Sequence, residues 1–291
     1  MNEIIKIDKI LLDNLCSIID KARQQVAVSV SNTMTMMYWH IGDTIHTYVL
    51  EGQRAAYGQQ IVSTLSTKLT ELYGKDFTDR NLRRMIQFSQ AFPKVEIVST
   101  LSTKLYWSHF MEVLPLKDNL AREFYVTMAA SEHWSVKRLR KEIDSMLFER
   151  TIISRKPEDF IRAELATLRD DNRLSPDLVF KNPYFLDFTG LTGFYQERDL
   201  EDMLLNGIQQ FLMELGSGFT FVERQKRMII DGEDFRLDLL FYHRKLRRLI
   251  AIDLKRTRFK PAYKGQMELY LRYLDKHERN EGEESPLGLL L

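Results

Sequence analysis

From Ile7 to about Phe148 the apolar residues recur mainly at helical spacing, and the pattern predicts helices near Ile7 to Ser31, Met34 to Leu50, Gln59 to Tyr73, Asp79 to Phe92 and Ser135 to Phe148. This half reads as an all-α, helix-turn-helix-like domain. Thr78 and Ser135 stand where helix N-caps belong, and Pro93 marks a stop. Beyond residue 150 the clean period is lost, and SRKP, DDNRLSP and KNPYF punctuate the chain. Two pieces there still ask for cover: IRAELATL is helical in pattern, and YFLDFTGL is too aromatic to stay in water.

The pattern changes again in the last third. In DLEDMLLNGIQQFLMEL, Leu200, Met203, Leu204, Ile208, Phe211, Leu212 and Leu215 form one helical stripe that Gly216 ends. Short runs rich in β-branched and aromatic residues follow (FTFVERQ, RMII, FRLDLLFYH and RLIAIDL), with DGED and RKLR as hairpin turns. A helix from about Lys264 to Leu274 and a closing strand in LGLLL complete the order: helix, three-stranded meander, helix, strand. The fold class is therefore α+β overall. The predicted division is a helical domain over 1–150, a connecting segment packed on the core over 151–193, and a mixed α/β domain over 194–291.

The nonapeptide IVSTLSTKL occurs at Ile61 to Leu69 and again at Ile97 to Leu105. Its flanks differ and two copies do not make a stacked solenoid, so the sequence supports a local duplication.

Charge adds little until it is located. The 42 basic and 41 acidic residues nearly cancel. Locally, however, Arg244, Lys245, Arg247, Arg248, Lys255, Arg256, Arg258, Lys260 and Lys264 face one acid, Asp253, within a single stretch. With Phe259 and Tyr263 interleaved, the stretch is a candidate phosphate-tracking surface, although solubility alone accounts for some of those charges. In the helical half, Arg80, Arg83 and Arg84 crowd one helix, and Lys137, Arg138, Arg140 and Lys141 another. These helices suit a DNA reader, and equally a solvated face. The single cysteine, Cys16, allows no intrachain disulfide and fits a reducing cytoplasm; the N-terminus lacks a secretory apolar core, and no run of about 18 apolar residues predicts a membrane span.

Within the meander, strand alternation sets Asp238 opposite Leu237 and Leu239 and puts Asp253 and Lys255 on one face of the next strand. Antiparallel neighbours then bring the two carboxylates together, where their mutual repulsion and desolvation call for a positive partner. A divalent cation, Mg²⁺ or Mn²⁺, answers that demand with hard oxygen ligation and an activated water. Lys255 would orient that water or stabilise charge developing on a phosphate. Structural ion pairing is the alternative reading, and Asp-X-Lys by itself carries no signal. For His243 and His277 the sequence identifies no partner, and both are expected at exposed turns. Gln266 and Tyr270 lie four apart on one helix face, able to cap a strand edge, pack or act.

These residues resemble the PD-(D/E)XK nucleases, and among them the YhcG-like bacterial proteins with a helical N-terminal domain and a C-terminal nuclease domain. NLRRMIQF and YWSHF carry the likeness in the first half. In the second, MELGSGFTFVERQ, DLLFYHRKLRRLIAIDLK and FKPAYKGQMELYLRYLD carry it. The resemblance implies a restriction-endonuclease-like αβββαβ core, with Asp238 and Asp253 as metal ligands and Lys255 as the catalytic lysine. It further implies Glu201 as the acidic residue of the first helix and Gln266 as a site glutamine. Asp253 stands where YhcG-like proteins often have glutamate, one methylene longer. The chain stops after LGLLL, where such proteins usually continue, so the last strand is expected to be short of support. The functional expectation is a metal-dependent nuclease acting on DNA, with RNA as another substrate class and a non-catalytic DNA-binding or adaptor protein as the alternative. Cleavage of both strands by a one-site nuclease would call for a homodimer.

Overall fold

The structure is a computed structural model that describes residues 9–51, 58–182, 184, 207–255 and 259–291. It divides into two compact units, Met1–Ser145 and Met146–Leu291. Residues 146–182 therefore fold with the second unit.

The first unit is helical. Helix α1 (Lys9–Glu51) runs unbroken for 43 residues, about 65 Å at 1.5 Å per residue, where two helices with a break near Ser31 were predicted. The polar run there does not break the helix because its hydroxyls find helical partners. Thr33 Oγ1 donates to the Ser29 carbonyl and Thr35 Oγ1 to the Ser31 carbonyl, each at 2.9 Å, while Asn32 accepts from Ser102. Helices α2 (Gly58–Tyr73) and α3 (Asp79–Ala91) match the predicted period. Tyr38, Ile45, Val62, Leu82 and Met85 form their shared core with α1. Helices α4 (Val95–Ser102), α5 (Trp107–Val113) and α6 (Asn119–Ser131) were not anticipated. In α6, ten of thirteen residues are buried, so no polar face exists to produce a helical period. Helix α7 (Val136–Asp144) starts at Ser135, whose Oγ accepts from the Arg138 N–H as the cap predicts. Thr78 precedes α3 in extended conformation but makes no side-chain cap bond.

Gly42 marks where α1 crosses α3 backbone to backbone. A Cβ there would lie 1.9 Å from the Met85 carbonyl oxygen. Gly42→Ala should therefore cost roughly 1–3 kcal/mol through overpacking, although alanine is the better helix former by about 1 kcal/mol. Thermal melts followed by circular dichroism decide it: a variant as stable as the parent, or more so, would contradict this crossing.

The second unit opens with α8 (Leu147–Arg150), α9 (Glu158–Asp171, which contains IRAELATL) and α10 (Pro176–Val179). Its core is α11 (Ile208–Leu215), β1 (Phe219–Ile230), β2 (Glu233–His243), β3 (Arg248–Asp253), α12 (Pro261–His277) and β4 (Leu287–Leu290). The sheet order is β1-β2-β3-β4, the first three antiparallel and β4 parallel to β3. This is the αβββαβ order expected. All of YFLDFTGL but Tyr184, and the first half of the predicted stripe helix, lie outside the described residues. FTFVERQ and RMII, read as separate runs, are one strand with a bulge between Phe221 and Glu223. Asp231 and Gly232 close the β1-β2 hairpin at φ 51° and 86°, the positive pair that a two-residue type I′ turn requires. The closing strand is held by β3 along its length, from Ile250 opposite Leu287 to Asp253 opposite Leu290.

Helix α12 covers one sheet face, burying Met267, Tyr270 and Leu274 against Met228, Leu237, Leu240, Leu249 and Ala251. On the other face Phe211 of α11 meets Phe241 at 5.9 Å, and Phe219 packs on both Phe241 and His243. His243 is thus fully buried, which corrects its assignment to an exposed turn. Its Nδ1 accepts from the Leu246 N–H at 3.1 Å and so shapes the turn from inside. His277 is exposed, as expected, with its ring 4.7 Å from that of Tyr273.

Candidate metal and catalytic centre

The β2-β3 ladder ends at Leu239 opposite Ile252, so the next position on each strand holds a carboxylate, Asp238 and Asp253. Beyond the ladder the Asp238 side chain replaces strand pairing: its Oδ2 accepts from the Leu254 N–H at 2.8 Å. On the other side β4 continues, with Leu291 N–H donating to the Asp253 carbonyl at 3.1 Å and Lys255 N–H to the Leu291 carbonyl at 2.7 Å. Asp253 to Lys255 is therefore clamped from both sides. Lys255 returns its ammonium to within 2.8 Å of Asp253 Oδ2, and its Nζ lies 5.1 Å from the centre of the Tyr263 ring.

Asp253 is 2% exposed. Burial, the largest influence, pushes its carboxyl up from 3.8 to about 6; Lys255 opposes the rise and neighbouring Asp238 adds to it. Its Oδ2 is buried, with the Lys255 ammonium as its neighbour at 2.8 Å. Such an oxygen retains lone-pair capacity for a cation.

Simple alternation does not place Asp238. Phe235 and Leu237 pack on the α12 side, yet so do Leu240 and Tyr242, which differ from them in parity. The phase of β2 changes at Asp238, so Leu237 and Leu239 fall on different faces, contrary to the alternation that first picked Asp238 out. Across on β1 the register pairs Arg224 with Leu239 and Lys226 with Leu237. Between them Gln225 sits at φ 50° and donates from Nε2 to Asp238 Oδ1 at 3.2 Å. Sequence reasoning did not single out Gln225. Its one signal was an amide within FTFVERQ.

The other expected site residues are placed as follows. Gln266 gives its amide nitrogen to Tyr270, and Tyr270 donates its hydroxyl to the Arg236 carbonyl at 3.2 Å, two residues before Asp238. Burial holds the Tyr270 hydroxyl above its ordinary range, which keeps it a donor. Glu201, Arg256 and Arg258 lie outside the described residues. The described residues of the basic stretch fall into two groups. Arg244, Lys245 and Arg247 occupy the turn at the far end of the β2-β3 hairpin, five strand residues from Asp238, or roughly 17 Å. Arg247 and Arg248 there approach Glu284 at 3.5 and 3.9 Å. Lys260 and Lys264 instead stand at the start of α12, and Lys260 Nζ shares the Tyr263 ring with Lys255, at 5.9 Å. Lys264 reaches Glu268 at 3.8 Å. In the first unit Arg83 is bound bidentately by Asp79 at 2.7 and 3.2 Å, beside a partly exposed Arg84. Arg140 is held by Glu112 at 3.0 and 2.6 Å.

Among the described residues no group of three or more His, Cys, Asp or Glu side chains gathers as a metal cage. The two-carboxylate set nevertheless fits Mg²⁺ or Mn²⁺, which keep several waters and are held by one or two carboxylates together with phosphate oxygens. The donors at the pair are hard carboxylate oxygens.

A mixed four-stranded sheet between helices, carrying paired aspartates and a lysine where β3 ends, defines the class of PD-(D/E)XK nuclease folds. The comparisons agree with it: residues 177–291 match the family model described as the YhcG PDDEXK nuclease domain, and residues 14–150 match the DUF1016 N-terminal domain. The chain is 33% identical over 309 residues to the Escherichia coli (strain K12) protein named "Putative nuclease YhcG", covering 96% of this chain and 82% of that one. The chain belongs to the YhcG family of PDDEXK nuclease proteins. No solved structure matches it. No helix among the described residues is long and apolar enough to cross a membrane.

Proposed function

We propose that this protein hydrolyses phosphodiester bonds in DNA in a reaction that depends on Mg²⁺ or Mn²⁺, with Asp238 and Asp253 as metal ligands and Lys255 as the catalytic lysine. The observation that carries the reading is the buried Asp253 carboxylate, set beside Asp238 and with the Lys255 ammonium 2.8 Å away. When bound, the cation would polarise a phosphate oxygen and acidify a water. Asp253 reaches its ionised form only above about pH 6, because burial disfavours the charge. Asp238 keeps a set direction, one oxygen held by the Leu254 N–H and the other by Gln225. Lys255 offers its proton donors to the attacking water or to a phosphate oxygen, the two places where charge changes during hydrolysis. Lys260 and Lys264, at the start of the neighbouring helix, supply positive charge for the nucleic-acid backbone. Glu201 and Gln266 join the site through the family resemblance. The intact Asp238, Asp253 and Lys255 set supports an enzyme over a silent adaptor.

The test is incubation with supercoiled plasmid, linear duplex, branched DNA and RNA, in Mg²⁺, Mn²⁺ or EDTA. Cleavage of a DNA substrate that EDTA and Asp253→Asn both abolish is expected. Cleavage by Asp253→Asn equal to that of the parent would place the site elsewhere.

Metal binding should also register in stability. At a free cation concentration 100 times its Kd, a single native-state site stabilises by about 2.7 kcal/mol, and Asp253→Asn should lose most of that rise in melting temperature. The pH dependence has a definite sign. Asp253 is raised in the folded state, so the metal-free protein carries an extra proton between its ordinary 3.8 and about 6, and loses stability as pH climbs through that window. Below about pH 6 a cation must expel this proton, so apparent affinity should fall by up to about tenfold per pH unit. Calorimetric titrations at pH 5, 6 and 7.5 would check it.

A further inference from the structure

Gln225 and Asp238 interrupt two neighbouring strands at the same level. The ladder pairs on either side of them, Arg224 with Leu239 and Lys226 with Leu237, are intact. Gln225 takes φ 50° within a strand, a left-handed conformation that glycine adopts without steric cost and a glutamine does not. Backbone strain of this kind persists where surrounding structure enforces it, and it concentrates at functional sites. The glutamine also supplies what glycine lacks: an amide that reaches Asp238 Oδ1 at 3.2 Å. The second oxygen is taken by the Leu254 N–H, whose residue directly follows Asp253. One donor on each oxygen leaves further lone pairs on both and stops the carboxylate from rotating.

We infer that Gln225 is a positioning residue: its left-handed backbone turns Asp238 out of the strand alternation, and its amide holds that carboxylate in the orientation that receives the divalent cation. The inference rests on the metal-centre reading above and adds a residue outside the Asp, Asp, Lys set. Outer-shell groups that orient a ligating carboxylate typically change metal affinity by 10- to 100-fold when removed.

Backbone and side-chain roles separate by substitution. Gln225→Gly keeps the left-handed conformation without strain and removes the amide. Gln225→Asn also tolerates that conformation, while its amide is one methylene shorter. Mn²⁺ affinity of the full-length chain, measured by electron paramagnetic resonance, should weaken 10- to 100-fold in Gln225→Gly and fall in the same direction in Gln225→Asn. The melting temperature of metal-free Gln225→Gly should equal or exceed that of the parent. A purely structural role predicts the reverse, a lower melting temperature with Mn²⁺ affinity unchanged while the protein is folded. If both variants bind Mn²⁺ within twofold of the parent, the positioning role is wrong. Asp253→Asn, run alongside, keeps the two readings apart: a parent that binds Mn²⁺ no better than Asp253→Asn removes the metal centre and this inference together. A parent that binds well beside Gln225 variants that match it removes the inference alone.

Discussion

Lys255→Met should retain the divalent cation at pH 8 and lose cleavage by a factor on the order of 10² to 10³, the usual consequence of removing one donor aimed at developing charge. The two effects separate because Lys255 and the cation address the same carboxylate differently. Its ammonium, 2.8 Å from Asp253 Oδ2, supplies positive charge to the buried pair in the metal-free protein. Lys255 also holds the Asp253 carboxyl below where burial alone would put it. Without Lys255 that carboxyl rises further, so metal binding should weaken most at low pH and least at pH 8, where the proton is gone. Asp253→Asn should lose both binding and cleavage. Single-turnover cleavage with parallel Mn²⁺ titrations reads both quantities. Undiminished cleavage by Lys255→Met would assign the proton donor to another residue.

Glu214→Ala should destabilise the second unit by roughly 3–5 kcal/mol, the cost of leaving buried charge uncompensated. Glu214 Oε1 is 2.7 Å from Arg150 Nη1, with side-chain exposures of 14% and 6%. Lys181 Nζ lies 3.6 Å from Glu214 Oε2 and also donates to the Glu214 carbonyl. One carboxylate on α11 thus meets a cation from α8 and a cation just beyond α10, and ties the segment after residue 146 to the nuclease sheet. Against a typical total stability of about 5–15 kcal/mol, its loss would remove a large share. Arg150→Met should cost less, since Lys181 still answers Glu214, and Arg150→Met combined with Glu214→Met should recover part of the loss, as matched apolar replacements do. Urea unfolding reads all three. A shift under about 1 kcal/mol in Glu214→Ala, the range of solvent-exposed ion pairs, would mean that the cluster is hydrated.

Much of the second unit was legible because its strands and covering helices obey simple periods. The meander, its Asp-Gly hairpin, α12 and β4 all follow from alternation, turn chemistry and one apolar helix face. The pairing of Asp238 with Asp253 was legible too, from two carboxylates in adjacent apolar strands. The phase change at Asp238 was not, since no residue type in RLDLLFY announces it; it arises from a strained residue on a different strand, Gln225, thirteen positions earlier. His243 was misjudged for a related reason: a polar residue beside a basic turn looks exposed until Phe219, from another strand, covers it. The basic stretch reads as continuous because sequence distance hides strand β3, which separates its described cations into two groups.

The repeated nonapeptide shows the boundary most directly. In both copies IVSTLSTKL starts helical with its valine buried, Val62 in one and Val98 in the other, so local propensity and the apolar period determined that much. The first copy continues as helix to Tyr73. The second stops at Ser102, and Lys104 and Leu105 turn back onto the Leu101 carbonyl. Leu105 is buried there, whereas its counterpart Leu69 is only half covered. Identical residues end differently because the free energy of burying a leucine depends on what the rest of the chain brings to it. In the same way the sequence determined the strands, the turns and the identity of the acidic pair, while Gln225 of β1 and the Leu254 N–H decided where Asp238 points, and burial beside Lys255 and Asp238 decided how strongly Asp253 holds a proton.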